Sequence, residues 1–397
     1  MGLGKNILDY VKSYAAQCPQ RIAVKVAAGA EGGSMETMTY SELYEKMLRC
    51  EPLPMPLLGE RWDGDFILYT TGTTGKRKEV IISQRAVMAN SENLIAGHGY
   101  TQGITFIIAG PMDHLGCWSK IFPTLMVGGT LYIIKDGMKD VNELLRPMEE
   151  SKGHYATFLV PSNIRILLQQ AESRLQQVGD SIDFIEAGGA PLPLPDMQRL
   201  CELLPNTRLY NTYASTETGV ISTYNYNDGR CMSGCLGKPL KYSKFFITPE
   251  GTIACQGATL MTGYRGEPEL TAQVMHDDTV FTVDGGWIDE EGMLHITGRK
   301  DDVINVGGLK VAPQEVEEAA LSCQMVKDCI CISRSHPVLG EAPELLVVLK
   351  DSAELNKREL ALHINKSVER YKVPLYYTVV DKIEKTPNGK LNRKAYK

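Results

Sequence analysis

Long apolar runs are missing from this sequence. No window approaches the roughly 20 apolar residues that a helical membrane span requires. Residues 1–17 also lack the long apolar centre of a secretory signal and are interrupted by charges, so a cytoplasmic protein is expected. An excess of one charge is missing too. There are 42 Lys and Arg against 48 Asp and Glu, a net charge of -6, which gives no electrostatic case for a nucleic acid as main partner. Among the ten cysteines there is no CxxC pair. Cys231 and Cys235 have neither a second pair nor a nearby His to complete a zinc site, so the expectation is buried free thiols. Internal repeats and low-complexity tracts are absent as well.

What is present is a chain of 397 residues, 43% hydrophobic, which excludes a disordered or fibrous protein. At about 150 residues per domain, that length suggests two or three domains. Residues 1–64 read as a small lead-in: an amphipathic helix carrying Ile7, Val11 and Tyr14, a strand over 22–26, a helix over 40–48, then a break at Pro52, Pro54 and Pro56. From Phe66 to about Asn211, apolar strand patterns alternate with helical ones, which predicts an α/β body with parallel sheet. Beyond Gly219 the strands shorten and Gly-rich turns increase, suggesting an antiparallel part of the same body. A second break near Gly298–Asp302 precedes a tail with its own α+β pattern, including helices over 314–321 and 355–371.

The sharpest local signal is Tyr69-Thr70-Thr71-Gly72-Thr73-Thr74-Gly75-Lys76-Arg77-Lys78, directly after an apolar strand. Two glycines allow a tight turn that aims backbone N–H groups at an anion, the threonines add hydroxyl donors, and the cations neutralise charge. The spacing between glycines is too short for a Walker A loop. This segment resembles the phosphate loop of the adenylate-forming superfamily, which includes acyl-CoA and aryl-CoA synthetases, peptide adenylation domains and luciferases; its usual pattern is close to YTSGTTGxPKGV. Arg77 replaces the usual Pro, Glu79 the usual Gly, and Gln84 stands where many members have His.

Four further segments match in order. Gly188-Gly189-Ala190-Pro191 follows a strand, and glycines there let a flat ring lie against main chain; by resemblance this segment covers adenine. Tyr213-Ala214-Ser215-Thr216-Glu217 resembles YGxTE, which implies ring packing for Tyr213, α-phosphate contact for Thr216 and Mg2+ for Glu217. Asp284 and Arg299 match the TGD and GRxDD patterns, with Val283 in place of Gly; the implied roles are ribose hydroxyls for Asp284 and ribose or phosphate for Arg299. Lys390, in Thr386-Pro387-Asn388-Gly389-Lys390, is in isolation a solvated residue after a hairpin turn. The resemblance makes it the catalytic lysine of adenylation.

The resemblance implies a large α-β-α layered domain over residues 1–300 with a small antiparallel barrel-like part, and a small mobile α+β lid over 301–397 hinged at Asp301. It implies activation of a carboxylic acid by ATP with Mg2+, then transfer to coenzyme A, with Gly307 and Gly308 admitting the pantetheine arm. A carrier protein's phosphopantetheine is the alternative acceptor, and a catalytically weakened homologue is the alternative raised by Arg77, Glu79 and Val283. Pro111-Met112-Asp113-His114 resembles PLxH of CoA ligases, placing His114 between the acyl pocket and the thiol path; a core or capping role for it stays open. Met112, Trp118, Ile185 and Val220 are either pocket or core. Familiar members carry a longer region before the phosphate loop than the 69 residues that precede Thr70 here, so the acid, and the choice between monomer and homodimer, stay open.

Overall fold

The structure, a computed structural model, describes residues 4–27, 35–71, 77–135, 137–386 and 391–396. Its centre is a sheet of fourteen strands among those residues. The parallel run places Ile22–Ala27, Thr130–Ile134, Ile104–Ile108, His154–Leu159, Ile182–Gly188 and Arg208–Ser215 side by side. These strands are almost continuously apolar because helices cover both faces. Two large clusters of buried side chains result, one around Phe66, Phe106, Trp118 and Phe184, the other around Ile107, Leu145, Leu175 and Leu209.

The lead-in is built into this sheet. Its strand Ile22–Ala27 pairs with Thr130–Ile134, and the Tyr40 hydroxyl donates to the Gly129 carbonyl at 2.7 Å. Helices Ile7–Gln17 and Tyr40–Leu48 each begin with a reciprocal capping box, Asn6 with Asp9 and Thr39 with Glu42, which satisfies free N–H groups at their first turns. The antiparallel strands from Gly219 onward are likewise continuous with the main sheet, joined through Gly219–Asn225. A separate three-stranded sheet of Phe66–Thr71, Arg77–Ile82 and Gly263–Tyr264 carries the two ends of the phosphate-loop segment.

The main sheet ends at Arg299, and a five-stranded sheet starts at Ile304 after a single 3-10 turn, Lys300–Asp302. Helices Pro313–Leu321 and Lys357–Ile364 pack on this second sheet. The second helix is shorter than its sequence pattern predicts. It stops at Ile364 because the polar run Asn365-Lys366-Ser367 offers no apolar side chain to the core, and Glu369 is extended. All ten cysteines are free; six are buried, while Cys18, Cys201 and Cys231 are half-buried and Cys50 is exposed. No described helix is long and apolar enough to cross a membrane.

Candidate active site

Ligands in a parallel sheet sit beyond the carboxyl ends of the strands. Here the strands Ile182–Gly188 and Arg208–Ser215 end side by side, with Gly188 opposite Thr212. Gly189 adopts a positive φ of 82°, turning the chain so that Gly189, Ala190 and Pro191 face a cavity of about 860 Å³. Tyr213, Thr216 and Glu217 form the facing wall. The turn bearing Thr216 and Glu217 is tied by reciprocal bonds, Ser215 N–H to Thr218 Oγ1 and Thr218 N–H to Ser215 Oγ, both 3.1 Å. Gly219 closes it at a φ of 66°, where a Cβ would stand 2.6 Å from Asn90 Oδ1 and the Thr259 carbonyl.

Tyr213 points from the end of its strand toward the antiparallel strand Thr279–Ile288, and its hydroxyl donates to Asp284 Oδ2 at 2.9 Å. Burial and the adjacent carboxylate push the Tyr213 phenol well up, so it remains a donor. Asp284 and Arg299 are direct cross-strand partners, and both line the cavity. A carboxylate and a guanidinium thereby extend from paired strand positions onto the cavity, the guanidinium 3.5 Å from Asp301 Oδ2, an arrangement suited to a polyhydroxylated ring and an attached anion.

Glu217 Oε1 accepts a hydrogen bond from the Tyr264 hydroxyl at 2.9 Å, and Lys78 Nζ lies 4.9 Å over the Tyr264 ring. Burial, then the Glu217 charge, raises the Tyr264 phenol. Tyr264 was not singled out in the sequence; the only available signal was its place after Gly263, which here pairs with the strand following the phosphate loop. Thr70 and Lys78 line the cavity, whereas Gly72, Thr73, Thr74, Gly75 and Lys76 lie outside the described residues, as does Lys390. The Thr71 side chain also lies outside them. Lys385 and Leu391, on either side of Lys390 in sequence, line the cavity.

The C-terminal part contributes a second wall. Arg165 donates to Asp196 Oδ2 at 2.9 Å and to Asp328 Oδ1 at 3.0 Å, and Lys385 approaches Asp328 Oδ2 at 3.2 Å. Arg165 therefore ties the parallel-sheet region to the C-terminal sheet, a role that spacing did not reveal. Asp301 lines the cavity from the connecting turn.

Four expected site residues are not among the cavity wall. Gly188 is buried in its strand beside Phe158 and Thr212. His114 stands at the N-terminus of the short helix Leu115–Trp118, with Nε2 3.9 Å from Asp113 Oδ1. Gly307 and Gly308 form the turn between strands Ile304–Val306 and Leu309–Val311, both at positive φ. Trp118, Ile185 and Val220, open between pocket and core, are core.

The AMP-binding enzyme family model matches residues 55–265, more than half of the chain, and the AMP-binding enzyme C-terminal domain model matches residues 315–390. The chain belongs to the AMP-binding enzyme family. It is 29% identical over 370 residues to a long-chain-fatty-acid–CoA ligase of Bacillus subtilis, covering 88% of this chain and 64% of the relative. It is 27% identical over 348 residues to a sulfoacetate–CoA ligase of Cupriavidus necator, covering 82% and 65%. The chain thus spans about two thirds of the length of these relatives. Among solved structures, ATP-bound MatB from Rhodopseudomonas palustris aligns with a TM-score of 0.76 at 26% identity, over 83% of this chain and 68% of that one. An o-succinylbenzoate CoA synthetase from Bacillus subtilis, in complex with its acyl-adenylate, shares the fold with a TM-score of 0.82 at 20% identity, over 98% and 97%.

Proposed function

We propose that this AMP-binding family member activates a carboxylic acid with ATP and transfers the acyl group to coenzyme A. The observation that carries this reading is the convergence on one cavity of Gly189–Pro191, the Tyr213–Asp284–Arg299 group and the Thr216–Glu217 turn. Adenine lies against the flat backbone of Gly189–Pro191. The ribose hydroxyls donate to Asp284, with Arg299 beside them. Thr216 Oγ1 contacts the α-phosphate, and Thr70 and Lys78, with the loop between them, take the β- and γ-phosphates.

Mg2+ fits the residues present. Mg2+ is commonly held by one or two carboxylates together with substrate phosphates and water, and Glu217 faces the cavity with Oε1 steadied by Tyr264. Bound with ATP, the ion supplies charge neutralisation on the phosphate oxygens. The chain's own residues supply position and electrostatic complementarity. An acid's carboxylate oxygen attacks the α-phosphorus, the bond to pyrophosphate breaks, and acyl-adenylate remains. Lys390 stabilises the oxygens of this step. The C-terminal domain, residues 301–397, then turns about Asp301 to bring Gly307 and Gly308 toward the thiol path. The thiolate sulfur attacks the acyl carbon and AMP leaves. His114 borders that path. The reaction belongs to the cytoplasm, where ATP and coenzyme A are supplied.

Pyrophosphate release with a panel of carboxylic acids, with and without free coenzyme A, tests the reading. Acid-dependent pyrophosphate and coenzyme A-dependent acyl-thioester are expected. Thioester formed only on a phosphopantetheine-bearing carrier protein would replace the acceptor, and no pyrophosphate with any acid would overturn the proposal.

A further inference from the structure

The parallel-sheet region and the C-terminal sheet both line the nucleotide cavity, and one guanidinium joins them. Arg165 lies on helix Pro161–Gln170, whose first turn borders the cavity through Pro161 and Ser162. Its Nε and Nη2 donate to Asp196 Oδ2 at 3.2 and 2.9 Å, and Asp196 stands in the first turn of helix Leu194–Leu203. Its Nη1 reaches the C-terminal sheet instead, donating to Asp328 Oδ1 at 3.0 Å. Asp328 belongs to strand Val326–His336, and its second oxygen, Oδ2, lies 3.2 Å from Lys385 Nζ. The side chains of Arg165, Asp196 and Asp328 are each only 16% exposed, so salt and solvent screen these contacts less than a surface pair.

The four charges divide into two pairs. Arg165 with Asp196 is neutral within the parallel-sheet region, and Lys385 with Asp328 is neutral within the C-terminal part. Parting the two regions at this point therefore breaks one bond, Arg165 to Asp328, and strands no ion. A contact whose opening left a half-buried ion unpaired would carry a large desolvation penalty and stay shut. This one holds and can let go. Another bond between the same two regions, Ser233 Oγ to Glu318 Oε2, is long at 3.5 Å. The chain itself connects them through the 3-10 turn Lys300–Asp302, which has no buried residue.

The arrangement held by this bond favours one of the two chemical steps. Lys385 and Leu391 are antiparallel bridge partners, and both line the same cavity as Thr216, Asp284 and Arg299. Gly307 and Gly308 do not line it. We infer that Arg165 and Asp328 are positioning residues for the acid-activating step: their bond latches the C-terminal part over the nucleotide cavity, and its release frees that part for the thiol step. Both act through the placement of the C-terminal part and take no share in bond making. The inference rests on the two-step reading above.

Asp328→Ala opens the latch, leaves Arg165 with Asp196 and returns Lys385, already 32% exposed, to solvent. On the full chain, pyrophosphate release with a panel of carboxylic acids reports the first step. Thioester formed with coenzyme A from supplied acyl-adenylate reports the second. Asp328→Ala should slow the first step roughly 10- to 100-fold, as for the loss of one hydrogen bond between charged groups. The loss should fall on kcat and not on the KM for ATP, and the second step should keep its rate or gain. Asp328→Asn, which keeps the side chain's volume, should move in the same direction by less and guards against a folding failure of the alanine variant. Asp196→Asn removes the other partner of Arg165 and should leave the ratio of the two rates as in the wild type. Trypsin cleavage at Arg299 or Lys300 reads the latch without activity, and should quicken in Asp328→Ala but not in Asp196→Asn. Equal slowing of both steps, or wild-type cleavage rates in both Asp328 variants, would overturn the inference. If the wild type releases no pyrophosphate with any acid yet Asp328→Ala alone quickens cleavage, the proposed activity fails and the latch stands. If it releases none and cleavage is unchanged, both fail.

Discussion

The Tyr213 hydroxyl donates to Asp284 Oδ2 across 2.9 Å, joining the last strand of the parallel run to a strand of the antiparallel part. Seventy-odd residues of chain separate the two, yet both line the same cavity. The bond fixes which side of Asp284 is left for a ligand.

Removing that carboxylate should therefore act on nucleotide binding. Asp284→Ala is expected to raise the KM for ATP about 10- to 100-fold, as for the loss of one hydrogen bond to a charged group. Tyr213→Phe keeps the carboxylate and loses only its orientation, so its effect should be under about tenfold. Steady-state pyrophosphate release against ATP concentration gives both values, and equal effects of the two substitutions would contradict the assignment.

Glu217 and Tyr264 make a second, separable prediction. Chelation of Mg2+ with EDTA should stop pyrophosphate release. Tyr264→Phe removes the hydroxyl that steadies Glu217 Oε1 and should raise the Mg2+ concentration for half-maximal rate about tenfold, as is typical for partners behind a metal ligand. Glu217→Gln should raise it further. An unchanged Mg2+ titration in both variants would remove Glu217 from the metal site.

His98 predicts a pH dependence of stability. Burial, only partly opposed by Glu186, lowers its imidazole from an ordinary value of 6.5 to about 4. Between these values the unfolded chain binds the proton and the folded one does not. The contribution is therefore fully present above about 6.5, declines as pH falls, and is lost through about 4. Its size is up to roughly 3 kcal/mol. Urea unfolding of wild type and His98→Gln at several pH values should show the wild type losing more stability on acidification; parallel curves would refute this.

Arg393 anchors the C-terminal sheet. Its guanidinium donates to both oxygens of buried Glu317, at 2.6 and 2.8 Å, and to the Cys331 carbonyl at 2.7 Å. Arg393→Ala leaves Glu317 buried without its cation and should cost about 3–5 kcal/mol. Combining Arg393→Met with Glu317→Leu should recover much of that loss. Thermal unfolding of the full chain checks both.

Much of the site could be read from the chain because its parts are local. The turn of Thr216–Glu217 and the positive-φ Gly189 each depend on a few consecutive backbone conformations, and residue type reports those directly. Their order, together with the switch from alternating helix and strand to short strands after Gly219, was enough to indicate the layered architecture and a separate C-terminal part. The helix beginning at Lys357 was overextended, since Val368, Tyr371 and Val373 still pack on the C-terminal core, but from turns and not from a continued helix.

What the sequence alone determined, then, was a set of short segments, several of which line one cavity. Tertiary structure decided their partners: Asp284 opposite Arg299, Tyr264 against Glu217, Arg165 bridging Asp196 and Asp328, and Lys120 paired with Glu186. Each of these depends on strand register or on packing between distant elements. A shift of one residue would turn a strand's side chains to the other face, and no local pattern of residues records which register prevails.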